Sequence, residues 1–186
     1  GRIDEAQALL ESTYEESLVE LGPTHRRTLN TMDNLAQLLL TIGDFRRAAE
    51  VFEEQIRLRR ERAGPDDPQV VGAELHLANA YTQLARHDES LAIYDAHLAR
   101  YEERLGSEHP SVLQQRLNRA AALNASGRKN EALLELEDVL RIAADALGPD
   151  APETLDAESN LGSVYVTSGR AAEAIPYLES SLAKRK

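Results

Sequence analysis

The chain has 186 residues and carries 32 Asp and Glu against 21 Lys and Arg, a net charge of -11, with no Cys and no Trp. That length can bury a real core as one domain, while the missing cysteine excludes a disulfide scaffold, a thiolate metal site and a cysteine nucleophile. The acidic balance argues against nucleic acid or an anionic membrane as partner, and no apolar run approaches the ~20 residues of a membrane helix or forms a signal peptide, so a soluble, cytoplasmic protein is expected.

The first element is a helix over about 3–20, with Ala6, Leu9, Leu10, Tyr14 and Leu18 at spacings of three and four. Gly22-Pro23 stops it, because glycine suits the left-handed position after a helix and proline cannot continue one. A second helix follows over about 26–42, with Leu29, Met32, Leu35, Ala36 and Leu39 on one stripe. Gly43 opens the next break, and the cycle then repeats. The segments LGPTHRRTL, AGPDDPQVV, LGSEHPSVL and LGPDAPETL begin at Leu21, Ala63, Leu105 and Leu147, and their glycines, Gly22, Gly64, Gly106 and Gly148, are 42 residues apart. Leu39, Tyr81, Leu123 and Tyr165 share one phase, Ala36, Ala78, Ala120 and Gly162 another, and Phe52, Tyr94, Leu136 and Leu178 a third. In the later cycles Pro68, Pro110 and Pro152 stand at the helix start, where a missing N–H is tolerated.

The register predicts breaks near 22–25, 43–45, 64–67, 85–87, 106–109, 127–129, 148–151 and 169, hence nine helices and no strands. The units are 1–42, 43–84, 85–126, 127–168 and a partial 169–186, forming a single repeat domain over 1–186. Neither helix of a unit can bury its stripe alone, so antiparallel pairs must stack on their neighbours as a solenoid. The chain begins and ends within a cycle, as expected of an excerpt from a longer polypeptide. Pro176, inside the last helix, is expected to remove one backbone bond and add a kink.

The phase Leu35-Ala36, Leu39, Gly43, Ala48, Phe52 resembles the tetratricopeptide repeat: large, small, large, turn glycine, then Ala and an aromatic. The eight residues beyond the usual 34, with Leu-Gly-Pro and His-Pro between units, resemble the 42-residue variety of kinesin light chains and many bacterial proteins. The basic residues, 18 Arg against 3 Lys, fit a GC-rich bacterial genome. The resemblance implies an all-α, right-handed α-α superhelical solenoid. Three positions depart from the pattern: Arg119 replaces the leucine of the other units, Ser90 the small alanine, and Ala85 the turn glycine. The stem of Arg119 is expected to lie on the core with its head in water, or to pair with a carboxylate, and Arg119→Leu is expected to be neutral or stabilising.

Beside the apolar stripe of the second helix, Asn30, Asp33, Asn34, Gln37 and Thr41 form an adjoining polar one. The resemblance implies that this stripe lines a concave groove holding an extended peptide. Its equivalents are Gly72, Leu75, His76, Asn79 and Gln83; Gln114, Leu117, Asn118, Ala121 and Ala125; and Asp156, Ser159, Asn160, Ser163 and Thr167. The line Asn34, His76, Asn118, Asn160 is the chemically informative one, because a side-chain amide can both donate to and accept from a passing backbone. The alternative is that these amides cap neighbouring helix ends or face water. The stripe itself contains no Lys or Arg, against a carboxylate clamp, and Leu75 and Leu117 are expected to make its middle partly apolar.

No catalytic or cofactor motif is present: neither Gly-x-Ser-x-Gly, nor a phosphate-binding glycine loop, nor His-Glu-x-x-His. His25 and His109 read as loop or cap residues. The expectation is therefore a non-catalytic scaffold for a protein or peptide, without cofactor or metal. A regulatory or assembly segment of a larger signalling protein, such as one carrying a Ser/Thr kinase or ATPase domain and acting through its outer face or by self-association, is the alternative. The terminal helices could support weak homo-oligomers.

Overall fold

A computed structural model describes residues 1–65 and 67–184. Among the described residues there are nine helices and no strand: α1 Arg2–Leu21, α2 Arg26–Thr41, α3 Phe45–Ala63, α4 Pro68–Gln83, α5 His87–Leu105, α6 Pro110–Ala125, α7 Lys129–Ala146, α8 Pro152–Thr167 and α9 Ala171–Lys184. The helix ends fall close to the breaks that the register predicts, because the local stop and start signals are strong.

The start signals work through side-chain caps. The Nδ1 atoms of His25 and His109 accept the backbone N–H of Arg27 (3.1 Å) and Ser111 (3.2 Å), and Asp67 Oδ1 accepts that of Gln69 (2.7 Å). Each satisfies an N–H that has no partner within the helix. The short turns share one hydrogen-bond signature. Asp44, Arg86, Arg128 and Arg170 each donate their N–H to the carbonyl five residues back, at 2.8–2.9 Å. The residue before each has positive φ: Gly43 (81°), Ala85 (59°), Gly127 (82°) and Gly169 (75°). This is a Schellman-type stop, and Ala85 adopts it despite its Cβ. Helix α9 runs through Pro176 to Lys184.

The chain divides into two compact units, Gly1–Arg86 and His87–Lys186. In the first, α1, α2, α3 and α4 pack each on the next, and α2 also meets α4. The core stripe of α2 is buried as its periodicity predicts, with Leu29, Ala36 and Leu39 fully covered and Phe52 of α3 among them. Tyr14 and Val51 pack against Leu29, Met32 and Leu58. In the second unit, α5 to α9 pack in succession and α6 also meets α8 around Val112, Leu113, Leu123, Leu136, Val139 and Leu161. Each such side chain contributes about 1.5–3 kcal/mol by leaving water. Gly162 shares its phase with three alanines for a steric reason: a Cβ there would lie 2.4 Å from Leu178 of α9.

Of the two readings of Arg119 the structure shows pairing with a carboxylate, which changes the expectation for Arg119→Leu. Its Nε donates to Asp95 of α5 (2.6 Å), and a terminal nitrogen donates to Glu135 of α7. Glu135 is only 10% exposed and also lies 3.5 Å from Arg116, which in turn holds Asp138 at 2.8 Å. Glu135 occupies the register of Val51, Ile93 and Tyr177. An apolar pair in the other units is thus an ion pair here, and replacing Arg119 alone would leave a nearly buried carboxylate under-compensated.

Candidate functional site

The helical phase that buries Leu29, Ala36 and Leu39 turns the adjoining stripe of α2 outward. Asn34 and Gln37 are exposed, while Asn30 and Asp33 are half-buried at the seam. Gln37 donates its side-chain N–H to Asp33 at 2.9 Å, so the stripe's only carboxylate in α2 is already engaged with a neighbour one turn away. On α4, His76 and Asn79 are exposed and Leu75 is half-buried. The imidazole of His76 lies against the buried ring of Phe52, centroids 5.6 Å apart and 21° from parallel. This contact holds one face of the imidazole and leaves its nitrogens at the surface. Because α2 packs on α4, Asn34 and His76 stand on neighbouring helices of one unit.

The second unit repeats the arrangement on α6 and α8, which also pack on each other. Gln114, Asn118, Asp156 and Asn160 are all half-buried, and Ala121 and Ser163 are exposed. Gln114 donates to Asn118 Oδ1 at 3.4 Å, and Ser159 donates to the Leu155 carbonyl at 2.9 Å. Each unit therefore carries a polar row on two neighbouring helices, exposed at Asn34 and His76 in the first and half-buried at Asn118 and Asn160 in the second.

One expected member is misplaced. Leu117 is 1% exposed and belongs to the core of α6 rather than to an apolar patch in the stripe. Its phase lies on the seam, where Asp33, Leu75 and Ser159 are half-buried. Placing residues at 100° steps cannot tell which side of the seam a leucine takes, and burial of its side chain decides it.

Sequence reasoning also missed Arg59. The stripe has no cation of its own, but α3 supplies one from behind. Arg59 is 5% exposed and donates to the Leu29 carbonyl (3.3 Å), to Asn30 Oδ1 (3.5 Å) and to Gln69 Oε1. Burial holds its pKa below the ordinary guanidinium value. A signal was present: Arg59 takes the register of the uncharged Ser17, Tyr101 and Ala143, with Arg185 the one other cation at that register.

No group of three or more His, Asp or Glu among the described residues is arranged to hold a metal ion, and no helix among them is long and apolar enough to cross a membrane.

The tetratricopeptide repeat family model matches residues 1–61, 69–145 and 117–186. A candidate kinesin light chain from Podospora anserina, built of nearly identical tetratricopeptide-like repeats and crystallised as a single-site variant, superposes with a TM-score of 0.83 at 28% identity, over 100% of this chain and 87% of that one. BtubC from P. vanneervenii gives 0.71 at 21% identity, over 100% and 74%. MamA from Desulfovibrio magneticus RS-1 gives 0.56 at 14%, over 96% and 94%, so these last two share the fold alone. No functionally curated protein matches the chain.

Proposed function

We propose that this chain, which belongs to the tetratricopeptide repeat family, is a non-catalytic scaffold that holds an extended peptide or partner segment along the polar stripes of α2, α4, α6 and α8. The kinesin-light-chain-like repeat and the protein-interaction role typical of the fold support the coarse reading. The observation that carries the finer one is the matched pair of rows. In each unit, two neighbouring helices carry a polar side chain at one register beside a closed apolar core, the exposed Asn34 and His76 in the first and the half-buried Asn118 and Asn160 in the second. Amides at that spacing suit the alternating N–H and C=O of an extended backbone.

Each such bond is worth about 0.5–1.5 kcal/mol net, so losing two weakens binding roughly tenfold or more. With a partner recovered by affinity capture, Asn118→Ala/Asn160→Ala is expected to show that loss while keeping the helical signal and the unfolding midpoint. Glu54→Ala, at an exposed position of α3, is expected to bind like the wild type. Undiminished binding by the double variant with loss in Glu54→Ala would assign binding to the outer face.

A second reading, self-association, is favoured by α9, where Ile175 (54% exposed), Leu178 (41%) and Leu182 (68%) leave apolar surface uncovered. Sedimentation velocity decides it: a concentration-dependent dimer abolished by Leu182→Glu supports it, and a monomer throughout removes it.

A further inference from the structure

A cleft of ≈ 180 Å³ opens in the first unit where the start of α2, the end of α3 and the start of α4 converge. It is lined by Arg26, Leu29, Arg59, Arg62, Ala63, Asp67 and Gln69. Three guanidinium groups thus line the cleft with Asp67, while the Asp33 carboxylate also acts on Arg59, in a chain whose net charge is -11. None of the three arginines makes an ion pair among the described residues, whereas Arg47, Arg57, Arg60 and Arg86 of the same unit all do. Asp67 makes no ion pair with them: its Oδ1 accepts the Gln69 N–H, while its charge still acts on Arg59.

Arg59 is the key group. It is 95% removed from solvent, since 5% remains exposed, its acceptors are two amides and a carbonyl, and its Nε–H is buried without an acceptor. Burying a cation among neutral acceptors is unfavourable unless an anion compensates it. The charges of Asp33 and then Asp67 offset part of that cost, and the charge of Arg62 adds to it. Arg26 and Gln69, at the starts of α2 and α4, both line the cleft, so the positive ends of two helices border it. At the register of Arg26 the other units have Pro68, Pro110 and Pro152, and at that of Arg59 they have Ser17, Tyr101, Ala143 and Arg185.

We propose that the cleft formed by Arg26, Arg59 and Arg62 is a binding site for a phosphomonoester dianion. Three guanidinium groups outnumber the Asp33 and Asp67 carboxylates that act on Arg59, and their planar forks match the oxygens of a phosphomonoester, whose charge near -2 they hold more strongly than a monoanion. Arg26 and Arg62 are exposed and supply direct donors. Arg59, held by Gln69 and Asn30, supplies fixed positive charge from the wall and links the cleft to the polar stripe of α2. The groove reading is not required for this site.

The test follows the arginine Nε–Hε and backbone amide resonances of the full chain during titration with inorganic phosphate, N-acetyl-O-phosphoserine amide and acetate. Saturable shifts are expected at Arg59 and Gln69 with both phosphates. Arg26→Ala and Arg62→Ala, both at exposed positions, are each expected to weaken phosphate binding about tenfold. Arg47→Ala, which removes an arginine outside the cleft, changes it less than twofold, as does Asn34→Ala in the polar stripe. Arg59→Tyr, which installs the residue of the next register, abolishes binding without loss of helical signal. Tighter binding of the blocked phosphoserine assigns the site to a phosphorylated chain, and tighter binding of inorganic phosphate to a free anion. Absence of shifts at Arg59 and Gln69, equal phosphate affinity in Arg26→Ala/Arg62→Ala and wild type, or acetate binding as tightly as phosphate, would each overturn the proposal.

Discussion

Replacing Arg119 and Glu135 together should restore what three other registers already contain, and this makes a double-mutant cycle informative. Leu35, Leu77 and Leu161 occupy the register of Arg119, and Val51, Ile93 and Tyr177 that of Glu135. The two side chains are 26% and 10% exposed and are joined by a direct hydrogen bond. Two charges near contact attract by about 4 kcal/mol at the effective dielectric of a partly buried site, and desolvation offsets most of this. Arg119→Leu leaves Glu135 with Arg116 at 3.5 Å, and Asp95 without its 2.6 Å donor. A loss of about 1–3 kcal/mol is therefore expected, short of the value for a fully orphaned charge. Glu135→Val leaves Arg119 with Asp95 and Arg116 with Asp138, and should lose about 1 kcal/mol. The double variant should lie within about 1 kcal/mol of wild type, a coupling of about 1–4 kcal/mol. Urea unfolding followed by circular dichroism, with unchanged m-values, reads all four corners of the cycle. Additive losses, or a neutral Arg119→Leu, would refute the compensating-pair reasoning.

Leu123→Ala, at a site 1% exposed, should destabilise by about 2–5 kcal/mol in the same assay, since the second unit cannot refill the space. Ala85→Gly should stabilise by about 0.5–1 kcal/mol, because the positive φ of 59° is strained for alanine and is met by glycine in the other three turns; a lower unfolding midpoint would contradict this. Acid stability should follow the carboxylates that arginines hold below their usual range, Asp138 through Arg141 and Arg116, and Glu11 through Arg47 and Gln7. The unfolded chain then binds protons first as pH falls. Their stabilisation is complete above about pH 5 and is lost through and below the ordinary carboxylate values near 4, so the midpoint should be flat from about pH 7 to 5.5 and fall below about 4. A midpoint that rises on acidification would show that these pairs do not act this way.

The fold was legible because its signals are local and repeated. Glycines at positive φ, prolines at helix starts, and the period that buries Leu29, Ala36 and Leu39 each fix a boundary or a face without reference to distant residues. What escaped lay between helices. Leu117 shares its register with half-buried Asp33 and Ser159, and packing rather than phase buries it. Arg119 looked like an isolated departure until Glu135, 16 residues later, was seen to depart at the matching register. Arg59 was visible as a departure from Ser17, Tyr101 and Ala143, but only the tertiary arrangement shows that it meets Asn30 and Gln69. Comparing units register by register, rather than scanning one unit's pattern, is the reading that would have found both arginine sites.

The central claim, that partners lie along the polar stripes, is tested most directly by site-specific photocrosslinking. A photoreactive residue is placed in turn at the exposed positions Gln37, Asn79 and Ser163 of the stripes, and at Glu54 and Leu134 on α3 and α7, also exposed. Crosslinks to the captured partner from the three stripe positions, and not from Glu54 or Leu134, are the predicted result. Crosslinks confined to Glu54 and Leu134 would contradict the account and place binding on the opposite helices.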